Sequence, residues 1–485
     1  MAMSVRLKHW WHADRDPLMR VIQILAVVAL GIVIGTQYMT PDKRMLSVAA
    51  GALVFGIAWR LDTLTGLGLL IIALPYPRPT VFGGTNFAFI LLLLLIWLLR
   101  VAQRMSPRPR ATPLDIPIAG WVLAYAISFY NVANAEDLGY AMQSTEQFIV
   151  CLLLFYLLVS NIRTVADLQR IQAFQAVSLA TILLIAVYEL NHPNGTLIPG
   201  WIIFTNTSGG EFNLKNVRVG GPFFDFELLS EFCAVSSLLV AFLYLRARSI
   251  YGRAALAALL LLDIFVLFAT VTRGAMISLG VGLLYLLFRV RRRVRVVPLT
   301  LVAGAIAGLA TGMNFFVSHF TRSGDVGARL RGTHFVGLVP DSRVQAWAGA
   351  WDRFLEHPLI GHGPYYSSQT GSHIWYWPHN GYLYIANLFG LFGLTFYFAL
   401  LITLFRITNR SSEDLHDPDY ARAFLLVANV QLVVFIVDQI KIDYLRNTIY
   451  QFEVWVMFAM MVAASRVAQS ETVRAKITRP LPFAA

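Results

Sequence analysis

Two stretches of this chain settle most of what it can fold into. FAFILLLLLIWLL (87–99) and AALAALLLLDIFVLFA (254–269) are apolar on nearly every helical face. A helix at the surface of a soluble domain keeps one polar side for water, so such stretches suit helices surrounded by lipid or by other helices. At about 1.5 Å per residue, roughly 20 residues cross a hydrocarbon core about 30 Å thick. The whole chain agrees: 57% of its 485 residues are hydrophobic and 14% are charged, against about 25% charged in a typical soluble domain. The expected fold class is all-α, a polytopic transmembrane bundle of about 12–14 spans in a single integral membrane domain over 1–485, with a long helical extracytoplasmic loop.

The same residues argue against several other classes. The formal charge is +12, but the cations lie in short connections between apolar stretches, where they set topology. No basic patch is interleaved with aromatics, so no nucleic-acid partner is expected. Cys151 and Cys233 fall inside apolar stretches, which suits neither a structural disulfide nor a zinc site. Arg6, Lys8 and Arg15 precede an apolar segment that reads as an uncleaved signal anchor. There is no P-loop, no GxGxxG and no DxD pair in an external context, so no ATP, NAD or nucleotide-sugar site is expected, and no cofactor.

Candidate spans are 19–37, 45–59, 63–76, 87–99, 116–130, 145–160, 171–190, 228–245, 254–269, 273–288, 298–316, 381–405, 423–437 and 448–464. With the N-terminus in the cytoplasm, 26 of the 39 cations fall in cytoplasmic segments and 13 outside. The reverse orientation inverts that ratio, so both termini are expected in the cytoplasm. Two external loops are then long, 191–225 and 317–378, and loops of that size are commonly functional. The larger holds DSRVQAWAGAWDRFLEHPL, whose apolar Val344, Trp347, Trp351, Phe354 and Leu355 recur at helical spacing. The spacing predicts a helix along the outer membrane surface or over a cavity, with Asp341 or Ser342 at its start and Pro358 at its end.

Cations on the outer side run against the topological bias. Arg218 lies in VRVGGPF, Arg273 opens a span in TRGA, and Arg343 stands in the first turn of the surface helix. A helix N-terminus already favours an anion, and arginine's planar fork gives a phosphate two parallel hydrogen bonds. One such arginine commonly serves as a snorkelling anchor; several facing one cavity make a diphosphate clamp. His379, in PHNGYLYIANLFGLFG at the join of loop and span, is the best base candidate. His319, His334, His357, His362 and His373 stand in the loop without an apolar helix beginning beside them. EHPLIGHG reads as a helix stop and turn. Asp225, Glu227 and Glu231 cluster at the top of one span, as an acid/base pair, as cation ligands or, the reading favoured here, as partners of the arginines. Asp263 lies mid-span.

Taken together, Arg343, Trp347, EHPLIGHG (356–363), HNGYL (379–383), Gly390 and Gly393 resemble the O-antigen ligase and polymerase superfamily of membrane glycosyltransferases. The His379-x-Gly381 pair, eight residues, Gly390, two residues and Gly393 match a motif associated with the ligases, and TRGA and RVGGPF resemble the family's two arginine motifs. The resemblance covers roughly 218–405. Asn380 stands where many of the ligases have Ser, and HN before an apolar helix occurs in polymerases too, which keeps both activities open. The resemblance implies a metal-independent, inverting transfer from an undecaprenyl-diphosphate-linked glycan to a glycan or lipid A-core acceptor. It implies a periplasmic site on the bacterial inner membrane. In that reading His379 is the base and Arg218 and Arg273 stabilise the leaving diphosphate. Arg343, Asn380 and Trp347 contact substrate, and no metal takes part. The glycines at 381, 390 and 393 are expected to permit close helix packing below the site. A transporter or flippase for the same lipids is the competing class; it would place charges near the bilayer midplane.

Overall fold

The computed structural model describes residues 59–75, 86–106, 108–132, 135–192, 218–290, 308, 310–321, 323–332, 335–336, 339–340, 343–365, 369–370, 373–374, 377–410, 415, 417 and 419–478. The expected spans at 19–37 and 45–59 therefore fall almost entirely outside the described residues. The expected caps Asp341 and Ser342, His334 and most of the 191–225 loop do so too.

The described chain is helical. In order it forms α1 (Thr63–Ala73), α2 (Asn86–Ala102), α3 (Asp115–Ser128), α4 (Ala135–Asn161), α5 (Val165–Asn191), α6 (Phe226–Arg246), α7 (Ile250–Ala269), α8 (Arg273–Val290), α9 (Val326–Arg331), α10 (Val344–Glu356), α11 (Gly381–Thr408), α12 (Tyr420–Asp438) and α13 (Thr448–Thr478). Its strands are two antiparallel pairs of two residues each. Among the described residues, eight helices are long and apolar enough to cross a membrane: α4 to α8 and α11 to α13. The protein is thus a polytopic, all-α membrane protein. Helices α1 and α2 are apolar but shorter, 11 and 17 residues.

Two compact units divide the chain. In the smaller, residues 59–67 and 91–106, Arg100 donates to the carbonyls of Trp59 and Leu61 at 2.7 Å each and to Thr63 Oγ1 at 2.8 Å. Everything that follows belongs to the larger.

Burial ranks the helices by depth. The most apolar 18-residue windows of α13 and α12 are 89% and 78% buried inside the protein, whereas those of α7 and α8 are 28% and 22% buried. The first pair is the bundle's centre and the second its rim. Leu261, Ile277, Leu284 and Phe288 point outward from the rim, as side chains do where the surrounding medium is hydrocarbon. The centre is aromatic: the Trp121 ring meets Tyr397 edge-on at 4.9 Å, and Trp455 packs against Phe148, Phe155 and Phe458.

Helix α10 forms where the spacing predicts a helix, and its apolar stripe is only partly packed. Ala346, Ala350, Arg353 and Phe354 are buried, while Trp351 and Leu355 are exposed. Small residues let α10 approach α11 closely, and Asn387 Nδ2 donates to the Ala350 carbonyl at 2.9 Å.

Helix α11 explains the glycine spacing. It breaks at Gly390, which has φ +63°. The break frees backbone groups that must find partners in an apolar surround, and the EHPLIGHG turn supplies them. The amides of Leu391 and Phe392 donate to the carbonyls of Pro358 and Leu359 at 2.8 and 3.1 Å. In return, the amides of His362 and Gly363 donate to the carbonyls of Asn387 and Leu388 at 2.9 and 3.1 Å. A Cβ on Gly390 would lie 2.3 Å from the Leu359 carbonyl, and one on Gly361 2.3 Å from that of Leu388. The two glycines let a turn enter the interior of a helix.

Candidate active site at one end of the bundle

Four segments meet at the end of the bundle where α6, α11 and α13 begin. Each is fixed locally. Asp225 caps α6, its Oδ1 accepting from the amides of Glu227 and Leu228 at 2.8 and 3.2 Å. This leaves Glu227 in the first turn, where the helix dipole favours an acid. Asn380 caps α11 in the same way, from Tyr382 N at 3.0 Å and Leu383 N at 3.1 Å. The first amide of α11, Gly381 N, donates to the Gln439 carbonyl at 2.7 Å. A Cβ on Gly381 would come within 2.5 Å of Gln439 Oε1. Between Trp377 and Asn380 the chain turns sharply, and His379 takes φ +45°, a left-handed conformation uncommon outside glycine.

Glu227 is the hub. Its Oε1 accepts from Arg343 Nη2 at 2.9 Å. Its Oε2 lies 3.1 Å from Arg446 Nη2 and 3.2 Å from His379 Nδ1. Arg446 Nη2 also reaches Asp225 Oδ2 at 2.6 Å, and Arg446 Nη1 stands 3.2 Å from His379 Nδ1. Arg343 Nη1 donates to the His379 carbonyl at 3.2 Å and to that of Lys441. Burial opposes the charge on Arg446, but Asp225, Asp443 and Glu227 together hold its proton more tightly than usual. Burial pushes the Asp443 carboxyl up to about 7, against the pull of Arg446 and of the Trp377 indole, which donates to it at 2.6 Å. The His379 ring is 40% exposed, so one of its edges stays open to a ligand.

A second set of cations adjoins the first. The Arg218 guanidinium lies 3.1 Å from the centroid of the Phe226 ring. Its Nε donates to the Thr270 carbonyl at 3.0 Å and its Nη2 to Thr272 Oγ1 at 3.1 Å. Its loop is held from behind by Glu189 Oε2, which accepts from Gly220 N at 3.0 Å and Gly221 N at 2.6 Å. Arg218 is thus set beside the start of α8, where Arg273 is the first residue. The next residue, Gly274, lies flush against the Lys441 side chain: a Cβ there would come within 1.7 Å of Lys441 Cδ. Lys441 Nζ in turn pairs with Asp438 Oδ2 at 3.1 Å. Phe226 and Glu227, adjacent in the first turn of α6, join the two sets.

The structure therefore brings His379 and Arg343 into direct contact and gathers Arg218 and Arg273 on neighbouring turns. It also shows uses that the sequence reading missed. Besides the substrate contacts expected of both, Arg343 ties Glu227 to two backbone carbonyls and Asn380 caps a helix. Trp347, one turn into α10, has a buried indole N–H with no hydrogen-bond partner. Glu227 is a partner of the arginines, as favoured above. Lys441, Asp443 and Arg446 were overlooked because their connection, 439–447, is short. Their signal was present: Asp438, Lys441, Asp443 and Arg446 crowd nine positions from the end of α12. Among the other histidines, burial lowers the His362 pKa, and its Nε2 bonds the Arg353 carbonyl at 2.8 Å. His319 bonds the Phe315 carbonyl at 2.9 Å. Asp263 is buried in α7 facing the Cys233 thiol of α6. Among the described residues no group of three or more His, Cys, Asp or Glu side chains forms a metal-ligand set.

An exposed imidazole beside a carboxylate, with guanidinium groups on both sides, suits proton abstraction next to an anionic substrate group. No curated protein matches the chain. Residues 256–398, which run from α7 through Arg273, Arg343, His379 and the Gly390 break, match the family model described as O-antigen ligase, so that segment is similar to the superfamily its motifs resemble.

Proposed function

We propose that the protein is an inverting glycosyltransferase that moves a glycan from undecaprenyl diphosphate to a sugar hydroxyl of lipid A-core, on the periplasmic face of a bacterial inner membrane. The observation that carries this reading is the meeting of His379 with Arg343 and Arg446, residues 36 and 67 positions away in the chain. In the proposed step His379 takes the proton of the acceptor hydroxyl as that oxygen attacks the anomeric carbon. The new C–O bond forms as the bond to the diphosphate breaks, and the electron pair leaves on the phosphate oxygen. A diphosphate needs no general acid if its growing charge is met by fixed positive groups in a site of low dielectric. In this scheme Arg218 and Arg273 take that task, and Lys441, packed against Gly274, lies beside Arg273. No metal is needed in this scheme.

The reading is tested with purified protein, lipid-linked donor and lipid A-core. Transfer to core supports it. A ladder of lengthened donor without core would replace it with a polymerase using the same residues, and donor crossing the bilayer without any transfer would replace it with a carrier. Transfer abolished by a chelator and restored by a divalent cation would overturn the metal-free step.

A further inference from the structure

His379 can act as a base at its exposed edge only in one of its two neutral forms. The Nδ1 edge faces inward, 3.2 Å from Glu227 Oε2 and 3.2 Å from Arg446 Nη1. If Nδ1 carries a lone pair toward Arg446, the proton sits on Nε2 and the outer edge is a donor. If Nδ1–H points at Glu227, the lone pair is on Nε2 and the outer edge can take a proton. We infer that Glu227 is the positioning residue that fixes the second form, an inference that rests on the transferase reading above.

Three features favour this form. Glu227 Oε2 has only lone pairs to offer, so a lone pair on Nδ1 at 3.2 Å would face it with nothing between them. Arg446 does not depend on the imidazole, because its Nη2 already holds Asp225 at 2.6 Å and Glu227 at 3.1 Å. The ring is also aimed from its backbone: the left-handed turn at His379 is held by Arg343 Nη1 on its carbonyl at 3.2 Å, and Arg343 Nη2 fixes the other oxygen of the same carboxylate at 2.9 Å. Carboxylate and imidazole are thus set by one guanidinium. The charged groups around the ring are Asp225 and Glu227 of α6, Arg343 at the start of α10, and Lys441, Asp443 and Arg446 of the α12–α13 connection. Asp438 pairs with Lys441 at 3.1 Å, so the cations of the connection are met by carboxylates and the local hydrogen bond sets the tautomer. Where a carboxylate orients a metal-ligating histidine its removal costs about 10–100-fold, and the same orienting role is assigned to Glu227 here.

The test is Glu227→Gln, which keeps the side chain's shape and its oxygen for Arg343. Its amide N–H then faces Nδ1 and donates to it, which traps the opposite tautomer. Protein with 15N-labelled histidine, reconstituted in nanodiscs without substrate and with His379→Asn for assignment, reports the form directly. The expected spectrum has His379 protonated at Nδ1 in the native chain and at Nε2 in Glu227→Gln. In transfer assays kcat should fall about 10–100-fold while the donor KM changes less than about threefold. A native His379 protonated at Nε2 overturns the inference even if the variant fails to fold. So does a loss confined to KM, which would mark Glu227 as an organiser of the anion site alone. An Nδ1-protonated His379 in a protein that transfers no glycan sinks the transferase reading and leaves the tautomer assignment standing.

Discussion

Arginine does different work at the two ends of this bundle. At the end opposite His379, Arg466, Arg246 and Arg289 bind neutral oxygens, while Arg422 pairs with Asp419 Oδ2 at 3.1 Å. Arg466 Nη2 donates to the carbonyls of Arg110, at 3.0 Å, and Ala111. Arg246 Nη1 donates to the Asp417 carbonyl at 2.9 Å, and Arg289 Nη1 to Asn429 Oδ1 at 3.1 Å. Arg246 and Arg289 also sit in the last turns of α6 and α8, where the helix dipole favours a cation. At the His379 end, Arg343 and Arg446 meet carboxylates supplied by the start of α6. A carbonyl anchors an arginine and brings no full charge of its own, which serves orientation in a membrane. A carboxylate balances the arginine's charge in a cluster, and an arriving anion or proton can shift the balance. The first arrangement holds a helix end; the second can take part in chemistry.

The comparison can be broken experimentally. The largest effect is expected for His379→Ala, which should lower transfer by at least about a hundredfold with donor binding retained, the usual weight of a general base; near-native turnover would remove His379 from the mechanism. Arg446→Gln should come next. Breaking a buried pair on one side costs about 3–5 kcal/mol, so both folded yield and activity should drop, and native yield with native activity would show the cluster to be inert. Arg273→Lys keeps the charge and loses the fork, and activity should fall roughly tenfold; full activity would mean that a point charge suffices. Arg466→Gln, at the opposite end, should cost about 1 kcal/mol of stability and leave kcat within about twofold of native. An equal loss of activity there would erase the distinction between the ends.

The smallest effect concerns pH. Burial pushes the Asp443 carboxyl up to about 7 in the folded protein, against about 3.9 for an ordinary aspartate. Between those values the native state binds more protons than the unfolded chain. The stability tied to this carboxyl is therefore whole below the lower value and is lost as pH rises through about 7. Asp443→Asn, which still accepts from Trp377, should remove that dependence. The gap between native and variant melting temperatures should then close or reverse from pH 4 toward pH 8; a constant gap would mean the carboxyl is ionised in both states.

What was legible in the sequence followed from local chemistry. Lipid solvates no backbone polar group, so 57% apolar composition in long blocks leaves few outcomes besides a helical bundle. His379 stood out because a titratable ring before an apolar helix is rare, and Arg218, Arg273 and Arg343 because outer cations defy the charge bias. The glycine spacing was visible but only part of its purpose was. Close packing was expected and is found at all three glycines, but Gly390 also breaks α11 so that backbone groups can be exchanged with the 357–363 turn. No helical periodicity encodes such an exchange. Asn380 illustrates the same limit: its carboxamide looks like a ligand in sequence and is a cap in the fold. Ser serves as well in that role, so the departure from the ligase pattern preserves the helix start.

The sequence alone determined the medium, the helical class and which residue types could do chemistry, because hydropathy and charge act on each segment independently. Only the tertiary structure decided which of those residues share a site. Glu227 is separated from Arg343 by 116 positions, from His379 by 152 and from Arg446 by 219. Contacts at such distances depend on how helices pack, and packing is decided by the whole bundle at once.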